Sequence, residues 1–142
     1  MIPPSFIGPP VSHDEFFNLA FVSGSREGQG PLGAICDALE IASTEYVIFA
    51  PCDTPYFSPD SFIELANSRF SADVVVAVDE TEPQMRHWLL SCWNVKSVKD
   101  HLFSSYLSGE RAIHRSVSNL QISEVRYPLS QVRNINSPQD LQ

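Results

Sequence analysis

Two stretches of the chain are apolar almost without interruption. Tyr46-Val47-Ile48-Phe49-Ala50 and Ala72-Asp73-Val74-Val75-Val76-Ala77-Val78 predict strands buried on both faces, as a parallel sheet covered by helices requires. Tyr46 to Ala50 is expected to be the central strand. Helical spacing takes over between and after these runs: in Cys36 to Ala42, in Phe62, Leu65 and Ala66, and in Val98, Leu102, Tyr106 and Leu107, which stops at Ser108-Gly109. Leu89 to Trp93 predicts another strand, with Trp93 in the core, and Val125 to Pro128 a short edge strand. Leu19 to Val22 is a candidate strand after a short helix capped near Ser12-His13-Asp14-Glu15. The four prolines between Met1 and Val11 predict no regular element there. Gly24 to Gly28 reads as a linker, and Asp79-Glu80-Thr81-Glu82-Pro83 as a solvated acidic turn. Strands alternating with helices predict an α/β fold.

Length and composition narrow the picture. The chain has 142 residues, 43% hydrophobic and 18% charged, which predicts a single folded domain. No apolar run approaches the ~20 residues of a membrane span, and no basic region precedes an apolar one at the N-terminus, so a cytoplasmic location is the default. Cys36, Cys52 and Cys92 are odd in number and widely spaced, which favours reduced thiols over disulfides or zinc. A net charge of -8 argues against binding a nucleic-acid backbone, but a single nucleotide needs only local donors.

The strongest candidate for chemistry is Asp53. It follows the apolar run at the carboxyl end of a predicted strand, where open α/β sheets bind ligands, and Pro51 and Pro55 bracket it in a segment that cannot continue a ladder. An isolated turn acid usually stabilises its own turn or caps the next helix. Here Ser58, Pro59 and Asp60 already supply N-cap, first helical residue and acidic first turn. That leaves Asp53 free, and a hard divalent cation is the usual partner of such a carboxylate beside phosphates.

Three segments carry a family resemblance. Gly30-Pro31-Leu32-Gly33-Ala34-Ile35 leads into a short helix, the strand and Asp53 follow, and Arg133-Asn134-Ile135-Asn136-Ser137-Pro138-Gln139-Asp140-Leu141 closes the chain. In this order they resemble the MobA-like molybdenum cofactor guanylyltransferases over about Gly30 to Leu141, with residues 1–29 as a lead-in. The resemblance implies a three-layer Rossmann-like nucleotidyltransferase fold, here N-terminally truncated. It also implies transfer of GMP from GTP to molybdopterin with release of pyrophosphate, assisted by Mg2+, with other proteins of cofactor synthesis as possible partners.

The resemblance assigns roles to particular residues. Asp53 is the catalytic and metal-binding acid, with Asn136 as a second metal ligand. Gly30, Pro31 and Leu32 lie beside the nucleotide. Gly33, Arg111, Asn134 and Asn136 face the substrate, with Arg111 from Gly109-Glu110-Arg111 as the cation for an anionic group; a surface salt bridge is its bland alternative. His114 and Arg115 are weaker candidates, and His13 reads as a surface residue. Asp53, Arg111, Asn134 and Asn136 are expected to converge on one cleft. For the two asparagines the bland alternative is capping of the terminal helix. His87 fits the family's polar position before an apolar strand, with Trp88 in place of its proline.

The chain also departs from the family pattern. No Leu-Ala-Gly-Gly segment with its lysine precedes Gly30, and Ala34 stands where the family has glycine. The expectation is that the 142-residue chain transfers no measurable GMP by itself, whereas a version carrying the glycine-rich segment does. Two alternatives stay open: a non-catalytic domain that binds a pterin or a partner, and a related transferase using another nucleoside triphosphate.

Overall fold

The computed structural model describes residues 5–7, 20–22, 24–26 and 28–141. Along the chain run β1 (Ser5–Ile7), β2 (Ala20–Val22), α1 (Gly30–Ile41), β3 (Tyr46–Phe49), α2 (Pro59–Asn67), β4 (Val74–Asp79), β5 (Arg86–Asn94), α3 (Val95–Leu107), α4 (Ile113–Ser116), β6 (Ile122–Tyr127) and α5 (Leu129–Val132). Short 3-10 turns follow at Arg69–Ser71 and Pro138–Leu141. The elements form two units: Met1–Ser43 with Lys99–Ser118, and Thr44–Val98 with Asn119–Gln142. The capped helix expected near Ser12, together with His13 and Glu27, lies outside the described residues.

In the first unit, β1 corrects the expectation that the proline-rich start holds no regular element. The Pro3-Pro4 and Pro9-Pro10 pairs flank the strand and leave Ser5 to Ile7 free to pair in parallel with Ala20 to Val22. On α1, Leu32, Ile35, Cys36 and Leu39 are all fully buried, an i, i+3, i+4, i+7 stripe of the kind that fixes an amphipathic helix. Gly109 ends the α3 segment with φ +100°, a conformation that costs glycine little.

Gly24 to Gly28 is not a loose linker. The Arg26 guanidinium donates to Asp37 Oδ1 at 2.6 Å and to Glu40 Oε2 at 2.9 Å, and the Arg26 backbone N–H donates to Asp37 Oδ2 at 3.1 Å. The same guanidinium lies over the rings of Phe103 and Tyr106. A Cβ on Gly24 would collide with the Asp37 carboxylate, so this turn closes only with glycine there. A single arginine therefore ties the turn to α1 and α3.

In the second unit the four-stranded sheet has the order β3-β5-β4-β6. β4 and β5 are its interior strands; β4 has all six residues buried and pairs in parallel with β6, Val74 opposite Ile122 through Asp79 opposite Tyr127. β6 lies at an edge as expected, over a longer span. β5 is antiparallel to both β3 and β4, so the expected parallel sheet is mixed. It also displaces Tyr46 to Ala50 from the centre. β3 is an edge strand of this sheet, with Tyr46, Val47 and Phe49 half-buried and Ile48 42% exposed. The expected burial on both faces is not met either, since none of the four residues is fully covered; the Asp79 to Met85 turn returns β5 into the place beside β3, which leaves β3 at the edge.

Because β3, β4 and β6 run in the same direction, their carboxyl ends share one edge of the sheet. On one face, Phe57, Ala77, Leu90, Tyr127 and Val132 form a buried cluster supported by Phe62 and Val125, and Leu65, Val75 and Cys92 form a second. α2 covers this face through Phe62 and Leu65. Trp93 is fully buried, as expected, and its indole N–H donates to Ser91 Oγ.

Candidate active site

Beyond β3, Pro51 interrupts the ladder and two turns follow, Cys52-Asp53 and Pro55-Tyr56. The Thr54 hydroxyl donates to the Pro51 carbonyl at 3.4 Å, and Phe57 N–H donates to the Thr54 carbonyl at 3.2 Å. Phe57 then anchors the loop. Its ring meets Phe62 and Tyr127 edge-on, at centroid distances of 4.6 and 4.9 Å. Ser58 caps α2 by accepting from Ser61 N–H at 3.1 Å, with Pro59 and Asp60 in the first turn. Capping is therefore complete without Asp53. Among the described residues its half-buried carboxylate enters no hydrogen bond or ion pair.

The Asn134-Ile135-Asn136 segment reaches this loop from the other end of the chain. Pro128 opens α5, which Gln131 N–H to the Pro128 carbonyl and Arg133 N–H to the Leu129 carbonyl close, each at 2.9 Å. Val132 is fully buried in the same cluster as Phe57, so one apolar cluster positions both halves of the site. Ile135 N–H then donates to the Asp53 carbonyl at 2.7 Å. With consecutive Cα atoms ~3.8 Å apart and a backbone-bonded pair ~5.5 Å apart, the Cα atoms of Asn134 and Asn136 lie within about 10 Å of that of Asp53.

Both asparagine side chains are exposed, and neither caps the terminal turn. That task falls to Asp140, whose Oδ2 accepts from the backbone N–H groups of Asn136 and Ser137 and from the Ser137 hydroxyl, at 2.9–3.0 Å. The Asn136 N–H, foremost, and the Ser137 donors hold the Asp140 carboxyl below its usual range. The sequence cannot reveal the Ile135–Asp53 bond, because both of its partners are backbone atoms.

The remaining candidates belong to the first unit. Gly30 and Pro31 are exposed at the start of α1, whereas Leu32 is in its buried stripe. Gly33 is buried, and a Cβ there would press on Arg26 and Gln29 at 3.1–3.2 Å, which is a packing reason for that glycine. Arg111 lies 3.9 Å from the Tyr106 ring centroid and donates to the Tyr106 carbonyl at 2.9 Å. The surface salt bridge considered for it is formed by Arg115 instead, to Glu110 at 2.7 Å.

His87, at the start of β5, is half-buried, and among the described residues its Nε2 has no partner. Burial lowers its pKa, and nearby Asp79 opposes that shift. Asp79 is no solvated turn residue: it is buried at the end of β4 and accepts from the Thr81 N–H and hydroxyl, both at 2.8 Å, which keeps its carboxyl low.

Among the described residues no three His, Cys, Asp or Glu side chains are gathered as a metal cage. The donors at the Asp53 loop suit a different arrangement. One unpartnered carboxylate and a nearby neutral amide oxygen fit magnesium, which keeps several waters and is commonly held by one or two protein oxygens together with substrate phosphates.

Comparison with known proteins bears on this arrangement. The family of the MobA-like NTP transferase domain matches residues 7–124. The chain belongs to that family. The matched stretch includes Gly30 to Gly33, Asp53 and Arg111, while Asn134 and Asn136 lie beyond it and are linked to the site by the Ile135–Asp53 bond.

A relative from Methanothermobacter thermautotrophicus, named a probable molybdenum cofactor guanylyltransferase, is 30% identical over 121 residues, covering 80% of this chain and 60% of its own. Among solved structures, the molybdopterin-guanine dinucleotide biosynthesis protein A of Archaeoglobus fulgidus superposes with a TM-score of 0.69 at 22% identity, covering 90% of this chain and 67% of its own. The 2-C-methyl-D-erythritol 4-phosphate cytidylyltransferase of Thermus thermophilus superposes with a TM-score of 0.74 at 16% identity, covering 96% and 77%. The MobA-like domain thus has the nucleotidyltransferase α/β fold. It spans about half the length of the curated relatives it matches, 43–60%.

Proposed function

We propose that this MobA-like domain serves the guanylyltransferase step of molybdenum cofactor synthesis, joining GMP from GTP to molybdopterin. The observation that carries this reading is the Ile135–Asp53 backbone bond, which sets the Asn134-Ile135-Asn136 segment against the loop of an acid whose carboxylate has no partner among the described residues. A phosphate oxygen of the acceptor attacks the α-phosphorus of GTP in line, the bond to the bridging β-phosphate oxygen breaks, and pyrophosphate leaves with that electron pair. No protein nucleophile is required, so the residues act by holding and orienting.

The Asp53 carboxylate and the Asn136 amide oxygen would share magnesium with the nucleotide. When bound there, the ion offsets the negative charge that builds between nucleophile and leaving group. Asn134 would donate to the acceptor. Gly30 and Pro31 would present backbone to the nucleotide, and Arg111 would supply a cation for an anionic group. A cytoplasmic location accords with this reading. Among the described residues no helix is long and apolar enough to cross a membrane.

The reading is tested by calorimetric titration of GTP into the protein with and without magnesium. Binding should depend on magnesium and should weaken at least about tenfold in Asp53→Ala, the scale of one lost charged contact. Equal GTP affinity in wild type and Asp53→Ala would remove Asp53 from the site.

A further inference from the structure

The Asp53 loop and α5 border an open hollow of about 540 Å³ lined by Tyr56, Leu129, Ser130, Gln131 and Arg133. Its chemistry is one-sided. The chain carries 17 acidic residues against 9 lysines and arginines, yet this lining has one guanidinium and no carboxylate. Gln131 Oε1 accepts from the Ser61 hydroxyl at 2.5 Å, which leaves its amide N–H groups to donate. Arg133 gives one N–H to the Asp140 carbonyl at 2.9 Å, and among the described residues its guanidinium has no carboxylate partner. The Asp140 carboxylate is committed to Asn136 and Ser137.

The walls are apolar and open, with Tyr56 42% and Leu129 52% exposed. The Arg133 guanidinium lies over the Tyr56 ring, 5.3 Å from its centroid, so a planar cation stands above one face of an aromatic ring. Such a pair suits a flat ring that stacks on one and offers a charged edge to the other. Arg133 is also two residues before Ile135, whose N–H holds the Asp53 carbonyl, so a ligand in the hollow lies beside the candidate active site.

We infer that this hollow binds a planar heteroaromatic ring bearing an anionic group, with Tyr56 as its stacking face and Arg133 as its anion contact. The inference rests on the guanylyltransferase reading in one respect: there, the ring belongs to one of the two reactants.

The test is a fluorescence titration with pterin-6-carboxylate as the probe, uncharged pterin as the control, and GMP and inorganic phosphate as competitors. Arg133→Gln should weaken pterin-6-carboxylate about tenfold, roughly one lost charge-assisted contact, and leave uncharged pterin unchanged. Tyr56→Ala should weaken both, and Tyr56→Phe neither. Displacement by GMP below the concentration of pterin-6-carboxylate needed for the same effect assigns the ring to the nucleotide; the reverse assigns it to the acceptor. Either result supports the shared chemistry.

Equal affinity in wild type and Arg133→Gln overturns the inference, as does displacement by inorganic phosphate as readily as by the ring compounds. Tyr56 is exposed and Arg133 half-buried, and unchanged melting temperatures would verify that the variants fold. GTP binding that still depends on Asp53, with no dependence of ring binding on Arg133, sinks this inference alone. GTP binding indifferent to Asp53 sinks the guanylyltransferase reading instead.

Discussion

Asp37 and Asp53 are the same residue put to opposite uses. Asp37, 4% exposed on α1, receives the Arg26 guanidinium on one oxygen and the Arg26 backbone N–H on the other. Asp53 follows an edge strand, and its carboxylate has no partner among the described residues. In the first unit the charge is consumed by folding, because a buried carboxylate has to be paired. In the second the fold supplies the loop's anchors by other means: Phe57 in the apolar cluster, Ser58 at the helix cap, and the Asp53 carbonyl rather than its side chain bonded to Ile135. A carboxylate held in place by its surroundings, and not needed to hold them, is available to a ligand.

The largest expected effect tests the consumed acid. Asp37→Ala takes from the Arg26 guanidinium, 18% exposed as a side chain, the shorter of its two ion pairs and leaves only Glu40, and should lower stability by about 3 kcal/mol in urea unfolding. A loss below ~1 kcal/mol would mean that solvent or Glu40 replaces Asp37 at little cost.

Gly24→Ala comes next. Its Cβ must displace the Asp37 carboxylate, at a cost of about 2 kcal/mol, and Asp37→Ala in the same chain should absorb most of that cost, since the two changes share one contact. Additive losses would place the strain elsewhere.

A smaller effect concerns acids saturated at the surface. The Arg115 guanidinium, foremost, with the backbone N–H groups of Ala112 and Arg111, brings the Glu110 carboxyl down to about 2 from a usual 4.5. A carboxyl with a lower pKa in the folded than in the unfolded chain contributes stability that is complete above the unfolded value and is lost as pH falls through the folded one. Melting temperature should therefore fall between pH 4.5 and 2, and Glu110→Gln should flatten that fall. Asp79 and Asp140, also held low, contribute in the same direction. An identical profile in the variant would deny Glu110 a part.

Much of the second unit is legible in sequence. The Val74 to Val78 run, the Ser58-Pro59-Asp60 cap and Trp93 each signal locally what they do, and each is found doing it, as is the Gly109 stop in the first unit. Two kinds of feature are not legible. The order of strands depends on how the chain returns after Asp79, so the apolar run at Tyr46 announces a strand but neither its edge position nor its partial exposure. Contacts made by backbone, such as Ile135 to Asp53, leave no trace in residue type; only the place of Asn134 and Asn136 within a family-like motif pointed there. Arg26 falls between these cases. A glycine two residues before an arginine, with acids spaced i and i+3 on the following helix, is a pattern consistent with the observed knot, but it reads equally as a polar linker. Tyr56 and Arg133 lie 77 positions apart in sequence; Arg133 opens the family-like closing segment and Tyr56 follows Asp53, but only the fold brings the two side chains together.

The central claim is that Asp53 and the Asn134-Ile135-Asn136 segment form one cation site that stability does not require. It is tested most directly by adding Mn2+, as a paramagnetic substitute for magnesium, to 15N-labelled protein and following the backbone amide signals. The account predicts selective broadening at Cys52, Asp53 and Thr54 together with Asn134, Ile135 and Asn136. Asp53→Asn should abolish the broadening while changing unfolding free energy by less than about 0.5 kcal/mol. Broadening confined to the acids around Asp79 to Glu82, or a broadened Asp53 loop with an unaffected Asn134 to Asn136 segment, would contradict it.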